Sequence, residues 1–284
     1  MELPIPFREV TIPAELTPTK PQDMAEFFAS DTVVNFLESR TSLPKFDYLG
    51  YEVKTADEVN AIYLMINPDP RNFALVPQNS LVICHHKVST PDNRIHTAML
   101  QQVQTSRFNL YNFHLGWDTM EKGIGDSFLM HLGFSKNQIR KVDLTYREHK
   151  VNRLGNIILP EFSLGEIVKR LHSMKVYPSV IINPRCQNSK CGYISGGGFV
   201  DTMVIEMADY GVDVLVSSDH NFVVEAIASE LGLTLVEINH YISERYGLRT
   251  MQKLLTETFP LVPTYILEDL TSIQCPPNEC SCCI

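Results

Sequence analysis

The sequence predicts an α/β fold in which helices cover a parallel or mixed sheet. From Ser179 onward, short apolar runs alternate with helical stretches of about ten residues or more, a pattern typical of strands joined by crossover helices. The composition, 44% hydrophobic and 20% charged, is that of an ordinary globular protein. The 284 residues suffice for about two domains at roughly 150 residues each. We therefore expect more than one α/β unit.

Apolar spacing marks the elements in the first half of the chain. Residues 1–20 are rich in proline and threonine, which predicts an extended lead-in. Apolar residues spaced three and four apart predict helices, and uninterrupted apolar runs predict strands. These patterns give, in order, a helix at Pro21–Arg40, strands at Ala61–Ile66 and Ser80–Cys84, a helix at Ile95–Ser106, a β-rich run at Phe108–Leu115 and a helix at Gly125–Phe134.

The second half of the chain is more regular. Ser163 and Glu166 have the spacing of a capping box, which predicts that a helix begins there. Three consecutive glycines at 196–198 precede another helical stretch, and they predict either a tight turn or a loop whose amides bind an anion. The remaining predicted elements are strands at Ser179–Asn183, Val212–Val216 and Thr234–Ile238 and helices at Phe222–Leu231 and Tyr241–Thr258.

Charge and hydropathy argue against several classes of partner and location. With 24 Lys and Arg against 33 Asp and Glu, the net charge of -9 disfavours nucleic acid or an anionic membrane surface. The N-terminal residues MELPIPFREV lack the basic and apolar regions of a secretory signal. No apolar run approaches the roughly 18 residues that a membrane helix needs. We therefore expect a cytoplasmic protein whose thiols stay reduced.

Histidines and acids lie at or just beyond the ends of three predicted strands. In open parallel sheets, ligands bind outside the carboxyl ends of the strands, so we expect these side chains to face one site. Two of them are adjacent in sequence, and two are spaced four apart at the start of a helix, which places both on one helix face. The residues concerned are His85, His86, His114, Asp118, His240 and Glu244.

This mixture of imidazoles and carboxylates points to bound metal. Such ligands suit iron, zinc or manganese and do not select among them. Three of these imidazoles with the two carboxylates already exceed what one ion with an open position needs, and they suit two ions about 3.5–4 Å apart that activate a water for hydrolysis. For each residue alone, the simpler interpretation is a satisfied polar group at a strand end or on a solvated helix face.

In these segments the sequence resembles the NIF-three-like family (NGG-one-interacting factor three), also called GTP cyclohydrolase I type 2 homologues. The order and spacing of its motifs match over roughly residues 55–255. The segments that carry the resemblance are ICHHK at 83–87, HLGWD at 114–118, VSSDH at 216–220 and NHYISE at 239–244. The proline usual after the histidine pair is Lys87 here, and the family's Trp-Asp-Asn-x-Gly segment has no clear counterpart.

The resemblance implies two divalent metal ions per chain. By motif, the ligands would be His85, His86, Asp118, His240 and Glu244, with one of the two carboxylates as a bridge. His114 would then donate or accept protons as a catalytic group, and we expect Lys87 or Arg185 to hold an anionic substrate. The family is also similar in assembling as rings of six around an enclosed cavity.

The resemblance further implies two related α/β lobes. On this basis, residues 21–135 together with about 245–274 would form the first lobe, and residues 136–244 the second. Residues 275–284 would be a separate tail with four cysteines, Cys275, Cys280, Cys282 and Cys283. Their spacing is closer to that of soft-metal ligands than to a disulfide framework, so the tail is predicted either to deliver metal or act in redox chemistry, or to be incidental.

Two functions follow from these observations. The first is a dinuclear metal-dependent hydrolase of a small substrate, phosphate-bearing or like a cyclic nucleotide, where GTP-type substrates rest on family analogy alone. The alternative is a non-catalytic metal-binding or interaction protein in which the dinuclear site is structural or stores metal. Nucleic-acid binding within a ring cavity is a weaker idea, which the net charge of -9 disfavours.

Overall fold

The computed structural model describes residues 27–41, 47, 49–88, 93–184 and 187–268. The predicted lead-in at 1–20, residues 21–26 of the first predicted helix, Arg185 and the cysteine-rich tail at 275–284 lie outside the described residues. Their predicted roles therefore stay predictions.

The described residues form two large sheets and a two-stranded ribbon. The strands are β1 (Phe28–Ala29), β2 (Leu49–Val53), β3 (Glu58–Val59), β4 (Ala61–Met65), β5 (Ser80–Cys84), β6 (Asn109–Phe113), β7 (Ile139–Tyr146), β8 (His149–Ser163), β9 (Val180–Ile182), β10 (Asn188–Ile194), β11 (Val214–Ser217), β12 (Thr234–Glu237) and β13 (Thr264–Ile266). The helices are α1 (Ser30–Glu38), α2 (Pro70–Phe73), α3 (Asn93–Ser106), α4 (His114–Thr119), α5 (Ile124–His131), α6 (Leu164–Ser173), α7 (Asp201–Asp209), α8 (Phe222–Leu231), α9 (His240–Glu244) and α10 (Tyr246–Thr258).

The first sheet has the order β13-β4-β5-β6-β2. Its first four strands are parallel, and β2 runs antiparallel to β6 at the edge. Every residue of β4, β5 and β6 is buried, which explains their apolar, non-alternating sequences. Because β13 lies far along the chain from its neighbour β4, the end of the described chain returns to the first sheet.

The second sheet has the order β7-β8-β10-β11-β12-β9. The pairs β10–β11 and β11–β12 are parallel, whereas β7, β8 and β9 join the sheet antiparallel. The expected α/β fold with mixed sheets is thereby confirmed. All strands of this sheet lie within residues 139–237, and the division of the chain into two lobes at the predicted boundaries stays a prediction.

Three strands of the second sheet were missed by the sequence analysis. The long hairpin β7–β8 and the strand β10 carry many polar and charged residues, so they show no apolar run. β9 was expected to continue the alternation of parallel strands and helices. Instead it lies at the edge of the sheet, antiparallel to β12, and β11 and β12 separate it from β10, the next strand in the chain.

Two predicted boundaries were wrong. Phe28 and Ala29 form a strand, with Phe28 paired to Val59, so the helix predicted to run unbroken over Pro21–Arg40 is wrong, and α1 covers Ser30–Glu38. β6 ends at Phe113, and His114 therefore begins α4 instead of lying on the strand. The second change matters for the site, because it places His114 and Asp118 one helical turn apart on the same short helix.

A single apolar core connects the two sheets. It contains Ile83 of the first sheet and Val216 of the second, joined by side chains of the intervening helices. The rings of Phe128 and Tyr193 stack across this junction with centroids 4.6 Å apart. This shared core holds β5, α4 and α9 close together. No helix within the described part of the chain has the length and apolar character needed to cross a bilayer.

Candidate metal centre

Three elements bring the candidate ligands to one place. The histidine pair follows β5 directly, and its first backbone amide, on His85, donates to the carbonyl oxygen of Met65 at 3.0 Å, so the pair stays in register with β4. α4 carries His114 and Asp118, and α9 carries the other two residues. The side chains brought together are His85, His86, His114, Asp118, His240 and Glu244.

Local sequence fixes where α9 begins. The side chain of Asn239 accepts a hydrogen bond from the backbone amide of Ile242 at 3.0 Å, which caps the helix. His240 is then the first helical residue, and Glu244 follows one turn later on the same face. The predicted spacing of this pair is therefore realised in the structure.

Three overlapping groups of these side chains have ligand atoms within 4.8 Å of one another. The groups are His85 with His86 and His114, His86 with His240 and Glu244, and His85 with Asp118 and Glu244. Glu244 belongs to two of the groups, and so does each residue of the histidine pair. His114, which the sequence analysis placed outside the ligand set, has the geometry of a possible ligand as well.

Three of the ligands form what we call the site floor: His85, Asp118 and Glu244. Their exposed fractions are 0%, 6% and 2%, respectively. The Nε2 atom of His85 lies 3.3 Å from Oε1 of Glu244 and 3.8 Å from Oδ2 of Asp118. Oδ1 of Asp118 accepts a hydrogen bond from the hydroxyl of Ser195 at 2.7 Å, which fixes the orientation of that carboxyl group.

The floor contains polar atoms that nothing in the described chain satisfies. Neither ring nitrogen of His85 has a hydrogen-bond partner, and neither does Oε2 of Glu244. Leaving a buried polar group unpaired costs roughly 1–3 kcal/mol, and native proteins rarely leave such groups without a reason. A bound cation would satisfy Nε2 of His85, which faces the two carboxylates, and Oε2 of Glu244. Imidazole with carboxylate is a donor set that divalent transition metals accept. The residues therefore fit a metal.

The other three histidines, which we call the site mouth, are His86, His114 and His240. The Nδ1 atom of each contacts an oxygen of a neighbouring side chain, at 2.7, 3.1 and 2.6 Å; the partners are Asn67, Asp47 and Asp219, respectively. Because these oxygens only accept, Nδ1 carries the proton in each pair. In the neutral ring, the lone pair is then on Nε2, which is the arrangement that metal-binding histidines use.

Asp47 is the functional candidate that the sequence analysis missed. Its carboxylate contacts Nδ1 of His114 and also accepts a hydrogen bond from the amide of Leu115 at 2.7 Å. The surrounding sequence, FDYLG, matches the Asp and the Gly of the Trp-Asp-Asn-x-Gly segment for which no counterpart was recognised. The replacement of Trp and Asn by Phe46 and Tyr48 hid this signal.

Burial and neighbouring charge set the protonation of the floor. Burial raises the pKa of Asp118 to about 6; the negative charge of Glu244 adds to this, while His114 and the Ser195 hydroxyl oppose it. Burial alone would also raise the pKa of Glu244, but the surrounding histidines hold it well below its usual range. Burial lowers the pKa of His85, which favours the neutral ring that a metal requires.

The triple glycine contacts the ligands themselves. A Cβ atom on Gly196, whose φ is +58°, would overlap Oε1 of Glu244 and lie 2.8 Å from Nε2 of His240. The amides of Gly196 and Gly198 donate to the hydroxyls of Ser243 and Ser217, both at 3.0 Å. Because these amides are already used within the protein, the structure favours the tight turn over the anion-binding loop.

A cavity of about 650 Å³ opens onto the site mouth. Its lining includes the three mouth histidines, and also Lys87, Tyr146 and Arg147. Lys87 thus lies where a substrate would enter, and its predicted role stays a prediction. His220, in the VSSDH segment, is not part of the candidate ligand groups, since its ring nitrogens lie 2.8 Å from Glu237 and 2.9 Å from Glu225.

The fold and motifs agree with one family of known proteins. Residues 31–271 match the family described as Duf34/NIF3 (NGG1p interacting factor 3). The chain belongs to this family. The resemblance that the sequence motifs carry is thereby confirmed, and it covers both sheets and all of the candidate ligands.

Sequence relatives of this NIF3-family chain carry a common name. A Clostridium perfringens protein is 26% identical over 184 residues, which cover 58% of this chain and 64% of that protein. A Neisseria meningitidis protein is 31% identical over 102 residues, or 35% of this chain and 39% of that one. Both are called GTP cyclohydrolase 1 type 2 homolog. These matches span less than two thirds of either relative.

Solved structures confirm the NIF3 fold. A Bacillus cereus protein related to NIF3 superposes with a TM-score of 0.73 at 12% identity, covering 88% of this chain and 100% of that one. Reduced HcgD from Methanocaldococcus jannaschii gives a TM-score of 0.69 at 18% identity, covering 86% and 99%. At these identities the likeness establishes the fold.

Proposed function

We propose that this NIF3-family protein is a metal-dependent hydrolase with two divalent ions held by His85, His86, Asp118, His240 and Glu244. One observation carries the proposal: the two oxygens of Glu244 face different histidines. Oε1 lies 3.3 Å from His85 and 3.0 Å from His240, whereas Oε2 lies 3.6 Å from His86. A carboxylate with histidines on both oxygens is suited to bridging two ions.

The residues of the chain divide the work between binding and proton transfer. Two divalent ions at such a site would activate water and stabilise developing negative charge. His114, whose Nδ1 is held by Asp47, presents its other ring nitrogen for proton transfer at the cavity. Asp118, a residue of the site floor whose carboxyl group is oriented by the hydroxyl of Ser195, completes the ligand set. Iron, zinc and manganese all suit these donors.

The expected substrate is a small molecule that bears a phosphate or resembles a cyclic nucleotide. A cavity of about 650 Å³ is of the size that small-molecule sites have. The curated relatives are named for GTP cyclohydrolase 1 type 2, and this name supports a nucleotide-like substrate only by analogy.

The experiment combines metal analysis with a hydrolysis screen. The purified chain is loaded with iron, zinc or manganese and assayed against phosphoesters, cyclic nucleotides and nucleoside triphosphates. Asp118→Ala tests the site, and Asp209→Ala, an exposed residue on α7, is the matched control. We expect two ions per chain and turnover that Asp118→Ala abolishes and Asp209→Ala retains.

Turnover that survives Asp118→Ala would contradict the site assignment. Fewer than about one bound ion per chain would contradict the dinuclear site itself. Two bound ions without turnover on any substrate would instead favour the non-catalytic metal-binding protein. The ring of six is tested separately by light scattering, with an expected mass six times the 32.2 kDa of the chain.

A further inference from the structure

The tip of the β7–β8 hairpin has an unusual backbone. Tyr146 pairs with His149, so only two residues form the turn, and both have positive φ: +46° at Arg147 and +67° at Glu148. This is the type I′ arrangement, for which Asn-Gly and related pairs are strongly preferred. Arg and Glu rarely adopt it. Because this backbone conformation is costly for arginine, we infer that Arg147 is kept for a function of its side chain and not for the geometry of the turn.

The tip lies at the entrance to the candidate metal site. Tyr146 and Arg147 line the same cavity as His86, His114 and His240. Lys87, which follows the histidine pair, lines this cavity as well. No carboxylate is among its described lining residues, although the chain as a whole carries a net charge of -9. Lys87 and Arg147 thus bring two cationic side chains to the entrance, while the carboxylates of Asp47 and Asp219 contact the Nδ1 atoms of His114 and His240.

The guanidinium group of Arg147 is held beside an aromatic ring. Its Cζ atom lies 5.1 Å from the centroid of Tyr146, within the range of a cation–π contact. A guanidinium presents its N–H groups in a planar fork that matches two oxygens of a phosphate. Lys87 adds a second, compact charge, and two positive charges match the charge of about -1.5 to -2 on a phosphate monoester.

We propose that Arg147 and Lys87 form an anion subsite at the cavity entrance, which binds the phosphate group of the substrate beside the site mouth. The inference deepens the proposed function and rests on it for the reaction that follows. It assigns substrate recognition to the β7–β8 hairpin, a segment that the family motifs do not include.

The test measures binding of inorganic phosphate by calorimetry, so that it does not depend on turnover. Arg147→Asn removes the guanidinium and introduces a residue that tolerates positive φ, so the variant is expected to fold at least as well as the wild type. We expect phosphate to bind about tenfold more weakly, which is the loss of one strong charge-assisted contact. Bound metal per chain should be unchanged.

Two controls separate charge from turn geometry. Arg140→Gln removes an exposed arginine at the opposite end of β7 and should leave phosphate binding within twofold of the wild type. Glu148→Gly relaxes the same turn without touching the cation, so the melting temperature should rise and phosphate should bind at least as tightly. Lys87→Gln should weaken phosphate binding as Arg147→Asn does, and added salt should weaken wild-type binding.

The inference would be overturned if Arg147→Asn bound phosphate within twofold of the wild type, or if Arg140→Gln weakened binding equally. Acetate binding as tightly as phosphate would overturn the preference for phosphate. The titrations are repeated on metal-stripped protein. A tenfold difference that persists there, in a chain that shows no hydrolysis, would leave the subsite standing while the hydrolase proposal fails.

Discussion

The site floor and the site mouth use the same kinds of side chain in opposite ways. The floor residues are almost completely buried, and His85 and Glu244 carry polar atoms without partners. Each histidine of the mouth is instead partly exposed and held through Nδ1 by the oxygen of a neighbouring side chain. The floor therefore has buried atoms with the geometry to receive a cation, whereas neighbouring side chains already orient the imidazoles of the mouth.

The unpaired atoms that suit the floor to bind a metal also lower the stability of the metal-free protein. Buried, unpaired donors and acceptors cost stability in the metal-free protein, because folding removes them from the water that solvates them in the unfolded chain. The mouth carries no such cost, since its imidazoles are paired and solvated. Substitutions in the floor should consequently change metal content and stability together. Substitution of Asp47, which contacts the one mouth histidine outside the proposed ligand set, should change reactivity more than metal content.

The largest effect is expected for Glu244→Gln, which removes the charge shared by two of the ligand groups. Metal affinity should fall by roughly 100-fold or more, since even residues that only orient ligands contribute about 10–100-fold. Metal content after dialysis measures this. Glu230→Gln, an exposed residue on α8, is the control. Full metal content in Glu244→Gln would remove the distinction between floor and mouth.

The second effect concerns pH and the metal-free protein. Because burial raises the pKa of Asp118 from 3.8 to about 6, the folded state keeps a proton that the unfolded state releases. This group's contribution to stability is therefore present below about pH 4 and is lost as the pH rises to about 6, by up to about 3 kcal/mol. Asp118→Asn has no such proton, and its amide oxygen still accepts from Ser195.

Urea unfolding of the metal-free proteins at pH 4 and pH 7 tests this. We expect Asp118→Asn to be more stable than the wild type at pH 7 and to bind metal more weakly. Asp209→Asn, an exposed residue, should follow the wild type at both pH values. If the wild type and Asp118→Asn lose the same stability between the two pH values, the cost assigned to the floor is wrong.

A third, smaller effect is expected behind the mouth. Asp47→Asn keeps an oxygen facing Nδ1 of His114 but replaces the charged partner of that ring with a neutral one. Turnover of a phosphoester should fall by about 10–100-fold, the range measured when a partner that orients a histidine is replaced. Bound metal should stay at the wild-type level. A loss of metal comparable to that of Glu244→Gln would instead place His114 among the metal ligands, with the other two mouth histidines.

The smallest effect is expected at Gly196, which lies against Glu244 of the floor and His240 of the mouth. Gly196→Ala should lower stability by about 1–2 kcal/mol through its left-handed backbone, and its Cβ should push Glu244 from its position. Gly165→Ala, in the first turn of α6, meets nothing closer than 3.9 Å and should stabilise by about 0.5–1 kcal/mol. Thermal unfolding and metal content measure both. Equal effects of the two substitutions would show that the loop is not constrained by the ligands.

Much of the first sheet and of the ligand set was predictable from the sequence. Strand β5, which delivers both His85 and His86, is buried on both faces, so its sequence is a nearly uninterrupted apolar run that ends at the site. The second sheet was predictable only in its parallel part. The hairpin of β7 and β8 was missed because its alternating polar residues, such as Lys150 and Asn152, reflect one solvated face of an antiparallel pair.

The sequence by itself determined the α/β class, the family and the kinds of ligand, because local periodicity and motif spacing depend on neighbours a few residues apart. Tertiary structure alone decided which other side chains contact the candidate site residues. Asp47 contacts His114 from 67 residues away, and the turn of Arg147 reaches the cavity only because β8 pairs with β10 in the second sheet. Such contacts depend on how the sheets pack, which no local pattern encodes.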